Sequence, residues 1–161
     1  MARTARQLCL LEVQQNNFCS EFVALAFSTS MSQIEATVSW WSHEAEAVKV
    51  GNVAELDHLI DGIIKSECNQ YPTVLEIEIP GSRLMMAVGL PESFVQITTN
   101  SSIRVATIDG IKEGTLDFYF QGIHHTEIRR RHILPIATAR ELARAFLITG
   151  AAPDTIAWEE L

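Results

Sequence analysis

One short segment of the sequence carries side chains of the kind that bind metal ions. It contains three histidines and a glutamate: His124, His125, Glu127 and His132. Imidazole and carboxylate groups are common zinc ligands. Neighbouring side chains of a strand point to opposite faces, however, so His124 and His125 are poorly placed to share one ion. The histidines also lack the i, i+4 helical spacing of zinc enzymes. We therefore expect a solvated turn or hairpin here, with no metal and no cofactor.

Two further groups could take part in nucleophilic or acid–base chemistry. Cys68 follows a predicted helix, but no strand–turn–helix elbow or glycine-rich loop surrounds it as around a catalytic nucleophile. Glu76 and Glu78 are paired carboxylates on one strand face, without the apolar surroundings that a general acid requires. The sequence therefore favours a partly buried thiol, solvent-facing carboxylates and a protein that is not an enzyme.

The elements that carry these groups begin with a strand and a helix. From Ile34 to Trp41 apolar and polar residues alternate, which is the period of a half-buried strand. Asn52 and Glu55 have the spacing of a capping box and predict that a helix begins there. The apolar residues of this helix fall on one face: Val53, Leu56, Leu59, Ile60, Ile63 and Ile64.

The rest of the chain predicts several strands and a second helix. Short alternating runs from Thr73 onward are separated by turn residues such as Pro80-Gly81, which indicates antiparallel hairpins. A second helix is expected between Pro135 and Gly150. The predicted fold is α+β: a mostly antiparallel β-sheet with two main helices packed on one face, in a single domain.

Composition indicates a globular chain. The 161 residues suffice for one domain, and 47% apolar with 20% charged residues is the globular range. We expect residues 32–161 to form this domain and residues 1–31 to be a variable N-terminal extension. The three cysteines are widely spaced and odd in number, which favours a reducing compartment. No stretch is long and apolar enough to span a bilayer, so a cytoplasmic location is expected.

Charge and surface composition indicate a protein partner. A formal net charge of −8 disfavours binding to nucleic acid or an anionic membrane and favours a basic protein. The sheet face opposite the helices would carry five candidate partner-binding residues: Trp41, Glu76, Glu78, Asp117 and Tyr119. Aromatic side chains anchor interfaces and charges steer encounter. In the alternative, the N-terminal extension covers the two aromatic residues.

The C-terminal part of the chain resembles a known family. The resemblance is best from Gly114 to Glu160 and extends more loosely back to Ile34. It rests on the following runs: Gly114–Gly122, Thr126–Ile128, Ile133–Pro135, an alanine-rich helix ending Phe146–Gly150, Pro153 and Ile156–Glu159. This pattern resembles the immunity proteins of bacterial polymorphic toxin systems, in particular the α+β family associated with deaminase-type toxins.

The resemblance implies an antitoxin. Such a protein would bind a cognate toxin, here a basic, deaminase-type toxin, and would cover its active site or substrate cleft. Two other interpretations of the function stay open. An adaptor or structural interaction module would form stable complexes with several proteins. A small enzyme would use the His124-His125 loop together with Cys68.

Overall fold

The computed structural model describes residues 35–41, 45–66, 72–108, 110, 113–120 and 124–161. Cys9, Cys19, Cys68 and the predicted N-terminal extension lie outside these residues, and so does Ile34. All described residues belong to one compact unit, Gln33–Leu161. The predicted boundary at residue 32 stays a prediction.

Strands dominate the described part of the chain. Its elements, in order, are β1 Ala36–Trp41, β2 Ala45–Val50, α1 Val53–Ser66, β3 Thr73–Ile79, β4 Ser82–Val88, β5 Glu92–Ser93, β6 Val95–Thr99, β7 Ile103–Thr107, β8 Thr115–Phe120, β9 His124–Arg129, a 3₁₀ turn Arg130–His132, β10 Leu134–Pro135, α2 Ile136–Thr149 and β11 Ala157–Glu160.

Seven of these strands form one sheet, which we call the main sheet. Its strand order is β11-β7-β6-β4-β3-β1-β2, and every neighbouring pair is antiparallel. Among the described strands, β8 and β9 pair only with each other and form a separate hairpin, and β10 pairs with β5. The predicted α+β class, with a mostly antiparallel sheet and two helices, is confirmed.

Helix α1 begins, and helix α2 both begins and ends, at the residues that the sequence indicates. The Glu55 backbone N–H donates to Asn52 Oδ1 at 2.9 Å, and the Gly51 backbone N–H donates to the Glu55 carboxylate at 2.8 Å. The first bond satisfies a donor that the first turn of α1 leaves free, and the second joins Glu55 to the residue before Asn52. Helix α2 starts after Pro135 and ends at Gly150, whose φ of 70° is the left-handed cap conformation.

The main core lies between the two helices and one face of the main sheet. The apolar residues of α1 and α2 contribute Leu56, Ile60, Phe146 and their neighbours. The strands contribute alternate side chains that are almost entirely removed from solvent: Ala36, Val38, Leu75, Ile77, Leu84, Met86, Val95 and Ile97. Each large aliphatic side chain buried in this way stabilises the fold by about 1.5–3 kcal/mol.

Ion pairs join the two helices at their exposed edge. The Arg144 guanidinium contacts both carboxylate oxygens of Asp57, with Nε at 3.0 and 3.1 Å. The neighbouring Arg140 forms an ion pair with Asp61. These contacts raise the pKa of Arg144, chiefly through its hydrogen bond to Asp57, and lower the pKa of Asp61 through its hydrogen bond to Arg140.

A second, smaller core lies on the opposite side of the main sheet, which we call the outer face. Here Ala87 of β4 packs with Phe94, Phe118 and Ile133, and all four are at most 4% exposed. Leu116 and Ile128 of the hairpin pack against the same cluster. The β8–β9 hairpin is therefore attached to the outer face by side-chain packing, since it shares no ladder with the main sheet.

Two features differ from the sequence expectation. Strand β2 was not predicted, because its helix-facing side chains, Glu46, Val48 and Val50, include only two apolar residues and Val48 is 45% exposed. The hairpin was expected to extend the main sheet, but it forms its own two-stranded sheet. Its alternation is as predicted for Leu116 and Phe118, which face the second core.

Candidate partner-binding surface

The outer face of the main sheet presents two of the predicted binding residues. Glu76 and Glu78 alternate with the buried Leu75 and Ile77 of β3, so both carboxylates point away from the helices. Glu78 lies opposite Arg83 on β4, whose Nη1 is 3.1 Å from Glu76 Oε2. The Arg83 guanidinium is therefore paired with Glu76, and Glu78 is its cross-strand neighbour.

The two predicted aromatic anchors are placed by their backbone alone. Trp41 is the last residue of β1 and lies opposite Ala45, and Tyr119 lies opposite His125 in the hairpin. The side chains of Trp41 and Tyr119 lie outside the part of the chain that the structure describes. Their role as anchors stays a prediction.

The solvent-facing side of the β8–β9 hairpin holds the third predicted carboxylate. Asp117 lies directly opposite Glu127, and two residues further along β8 the ladder pairs Tyr119 with His125. His125 Nε2 is 3.0 Å from Asp117 Oδ1. One ligand atom from each of Asp117, His125 and Glu127 lies within 4.8 Å of the others, and all three residues are exposed.

The predicted site residues therefore fall on two separate sheets. Glu76 and Glu78 belong to the main sheet, whereas Asp117 and Tyr119 belong to the hairpin. The expectation that one sheet face carries all five residues is wrong, because the hairpin packs over the outer face and does not extend it. Sequence reasoning also missed Glu127 as the neighbour of Asp117, since that contact depends on the hairpin register.

The histidine cluster considered from sequence is divided by the structure. His125 and Glu127 lie on the exposed hairpin face, where Asp117 joins them as a third possible metal ligand. His132 is instead 5% exposed, and its Nε2 is 3.5 Å from Glu159 Oε2 on β11. Burial lowers the pKa of His132, although the Glu159 carboxylate opposes that shift.

Glu159 also contacts Arg131, and this contact joins the 3₁₀ turn to β11 at the edge of the main sheet. Arg131 Nη2 donates to Glu159 Oε1 at 2.5 Å, and the Ile108 backbone N–H donates to the Arg131 carbonyl at 3.0 Å. This turn directly follows β9. The end of the hairpin at Arg129 is therefore fixed next to β7 and β11 by polar contacts, in addition to the packing of the second core.

An exposed, charged face on a packed α+β scaffold is suited to binding another macromolecule through electrostatic complementarity. Comparison with protein families agrees with this class: the family model of immunity protein Imm1 matches residues 44–160. The match covers more than half of the chain, which therefore belongs to the immunity protein Imm1 family. No curated protein matches the chain.

Family membership confirms the coarser part of the sequence interpretation. The chain is an immunity protein, and the partner of such an antitoxin is a toxin protein. The match spans the main sheet except β1, and it includes both helices and the hairpin. Within the described residues, no helix has the length and apolar character needed to cross a membrane.

Proposed function

We propose that this immunity protein neutralises a basic, deaminase-type bacterial toxin in the cytoplasm by covering its active site or substrate cleft. The observation that carries the proposal is the charge of the chain, a formal net −8 in a member of an immunity family. The toxin class rests on the resemblance to immunity proteins associated with deaminase-type toxins. A second support is the presence of exposed carboxylates on the outer face of the main sheet (Glu78) and on the hairpin (Asp117 and Glu127).

Charge complementarity gives this proposal its physical basis. A toxin that deaminates nucleic acid has to attract a polyanion, and a positively charged substrate groove achieves this. An acidic protein competes for the same groove, and steering by opposite charges accelerates its association. Mutual burial of about 1,600 Å² in total would be sufficient for tight inhibition if a few residues act as anchors.

The test is binding to the protein encoded by the adjacent gene, first by co-purification and then by titration at low and high salt. We expect a Kd in the nanomolar range or below that weakens as salt rises, because exposed charges are screened. The same titration should abolish nucleic-acid deamination by the partner. A matched assay with a toxin of unrelated catalytic type shows whether the inhibition is specific.

Different results would point to different functions. Tight inhibition of an adjacent toxin that does not deaminate would overturn the toxin class and leave the immunity function in place. Stable complexes with several proteins, without inhibition of any toxin, would instead support an adaptor. Binding that does not respond to salt would contradict the electrostatic basis of the proposal.

A further inference from the structure

One cross-strand pair of charged residues in the structure combines two charges of the same sign. Three pairs of directly opposed residues in the described sheets are charged on both sides: Glu78–Arg83, Glu160–Arg104 and Asp117–Glu127. The first two pairs combine opposite charges, which stabilises a sheet. The third places two carboxylates directly opposite each other, which destabilises one. The exception lies on the solvent-facing side of the hairpin.

Neither carboxylate of this pair forms an ion pair with a lysine or an arginine within the described residues. His125 Nε2 contacts Asp117 Oδ1 at 3.0 Å, but a histidine is charged only when protonated. Arg129, on the same face, lies opposite Thr115 and forms no ion pair with Glu127 within the described residues. On the main sheet, by contrast, Arg83 forms an ion pair with Glu76 and lies directly opposite Glu78.

The hairpin is nevertheless held firmly enough to present these groups in a fixed arrangement. Phe118 is fully buried in the second core, and it is the residue between Asp117 and Tyr119 in β8. The Arg130 backbone N–H donates to the Gly114 carbonyl at 2.9 Å, which closes the open end of the hairpin. Preorganised groups lose less conformational entropy on binding.

We propose that Asp117 and Glu127 together bind an arginine side chain of the toxin, and that the hairpin face, not Glu76 and Glu78, is the main electrostatic contact. This inference rests on the proposed function and names the surface that binds the toxin. A guanidinium group offers five planar donors, which suits two neighbouring carboxylates. The toxin arginine removes the repulsion that the free protein retains, so the same contact stabilises both the hairpin and the complex.

The experiment compares two isosteric double variants that lose the same charge. Asp117→Asn with Glu127→Gln changes the hairpin, and Glu76→Gln with Glu78→Gln changes the main sheet. Binding to the purified protein of the adjacent gene is measured for both variants and the wild type at physiological salt. We expect the hairpin variant to bind at least 100-fold more weakly, chiefly through faster dissociation, and the main-sheet variant to change less than 5-fold.

A second measurement concerns the free protein and needs no toxin. Glu127→Gln removes the repulsion but keeps the contact between His125 and Asp117, so the amide hydrogens of β8 and β9 should exchange more slowly than in the wild type. The matched control Glu78→Gln loses a favourable pairing with Arg83 and should give no added protection in β3.

The outcomes separate this inference from the proposed function. A wild type that neither binds nor inhibits the adjacent protein overturns both. Tight wild-type inhibition with a larger loss in the main-sheet variant overturns only the hairpin assignment. Stoichiometric binding of Zn²⁺ by the wild type, with toxin binding that EDTA abolishes, would make the hairpin a metal site and would also overturn the arginine contact.

Discussion

Phe94 and Phe118 meet edge to face, with ring centroids 5.5 Å apart and an interplanar angle of 78°. Phe94 lies between β5 and β6, and Phe118 lies in β8 of the hairpin. Edge-to-face aromatic contacts add to the free energy of burial. This contact is therefore one of the attachments between the hairpin that carries Asp117 and the rest of the fold.

Replacing Phe118 should detach the hairpin without unfolding the main core. Phe118→Ala removes a fully buried ring, and such changes typically cost about 3–5 kcal/mol. We expect amide exchange in β8 and β9 to accelerate strongly, while β3 and β4 stay protected. Phe146→Ala is the control, because Phe146 belongs to the main core. Phe146→Ala should destabilise all elements together. If Phe118→Ala also lost protection equally in all elements, the hairpin would not unfold separately from the main core.

The ion pair between Arg144 and Asp57 should contribute modestly to the packing of α1 against α2. Its side chains are 32% and 29% exposed, so solvent screens the interaction and about 1 kcal/mol or less is expected. A double-mutant cycle with Asp57→Asn and Arg144→Gln, followed by urea unfolding, measures the coupling energy. Glu141 also contacts Arg144 and should be kept unchanged in all four proteins. A coupling energy of zero would show that the helices pack without this pair.

Stability should fall on mild acidification because of His132. Burial lowers its pKa below the ordinary 6.5, so between these two values the unfolded chain binds a proton that the folded protein does not. The contribution of His132 is therefore fully present above pH 6.5 and is lost as the pH falls towards the lower folded pKa. The loss can reach about 1.4 kcal/mol per pH unit for one proton.

Urea unfolding of His132→Gln between pH 5 and pH 8 tests this expectation. Glutamine does not titrate, so the variant should show a weaker pH dependence in this range, by at most about one proton. An identical slope in wild type and His132→Gln would assign the pH dependence to other groups.

Gly150 should resist replacement by any residue with a side chain. Its φ of 70° is unfavourable for other residues, and a Cβ there would lie 2.9 Å from Ile79 Cδ1. We expect Gly150→Ala to lower the free energy of unfolding by about 1–2 kcal/mol. Gly62→Ala is a matched control: a Cβ at that position would meet no atom within 4 Å, and alanine should stabilise the exposed surface of α1. Equal stability of both variants would contradict the cap geometry.

Local patterns were sufficient to predict most of the fold. The capping residues Asn52 and Glu55 and the terminating Gly150 act through bonds within a few residues, so their effect is visible in sequence. The apolar periods of α1, α2 and β3 likewise reflect burial on one face. Strand β2 gives a weak signal, because an outer strand buries few side chains on either face.

The candidate surface was less predictable because it depends on pairings between distant residues. Alternation correctly separated Asp117 from Phe118, but it contains no information on which residue lies opposite Asp117 in β9. It also does not reveal that Phe118 packs against Phe94 and Ala87, which turns the hairpin out of the main sheet. A sequence can thus indicate which residues face solvent without indicating which sheet presents them.

The order of the main sheet leaves β2 and β11 as its outermost described strands. Such strands are the usual sites of edge-to-edge aggregation, which natural proteins prevent with charged side chains. Here β2 carries Glu46 and Lys49, and β11 carries Glu159 and Glu160. These four charges should keep the protein in solution at the concentrations that protection requires.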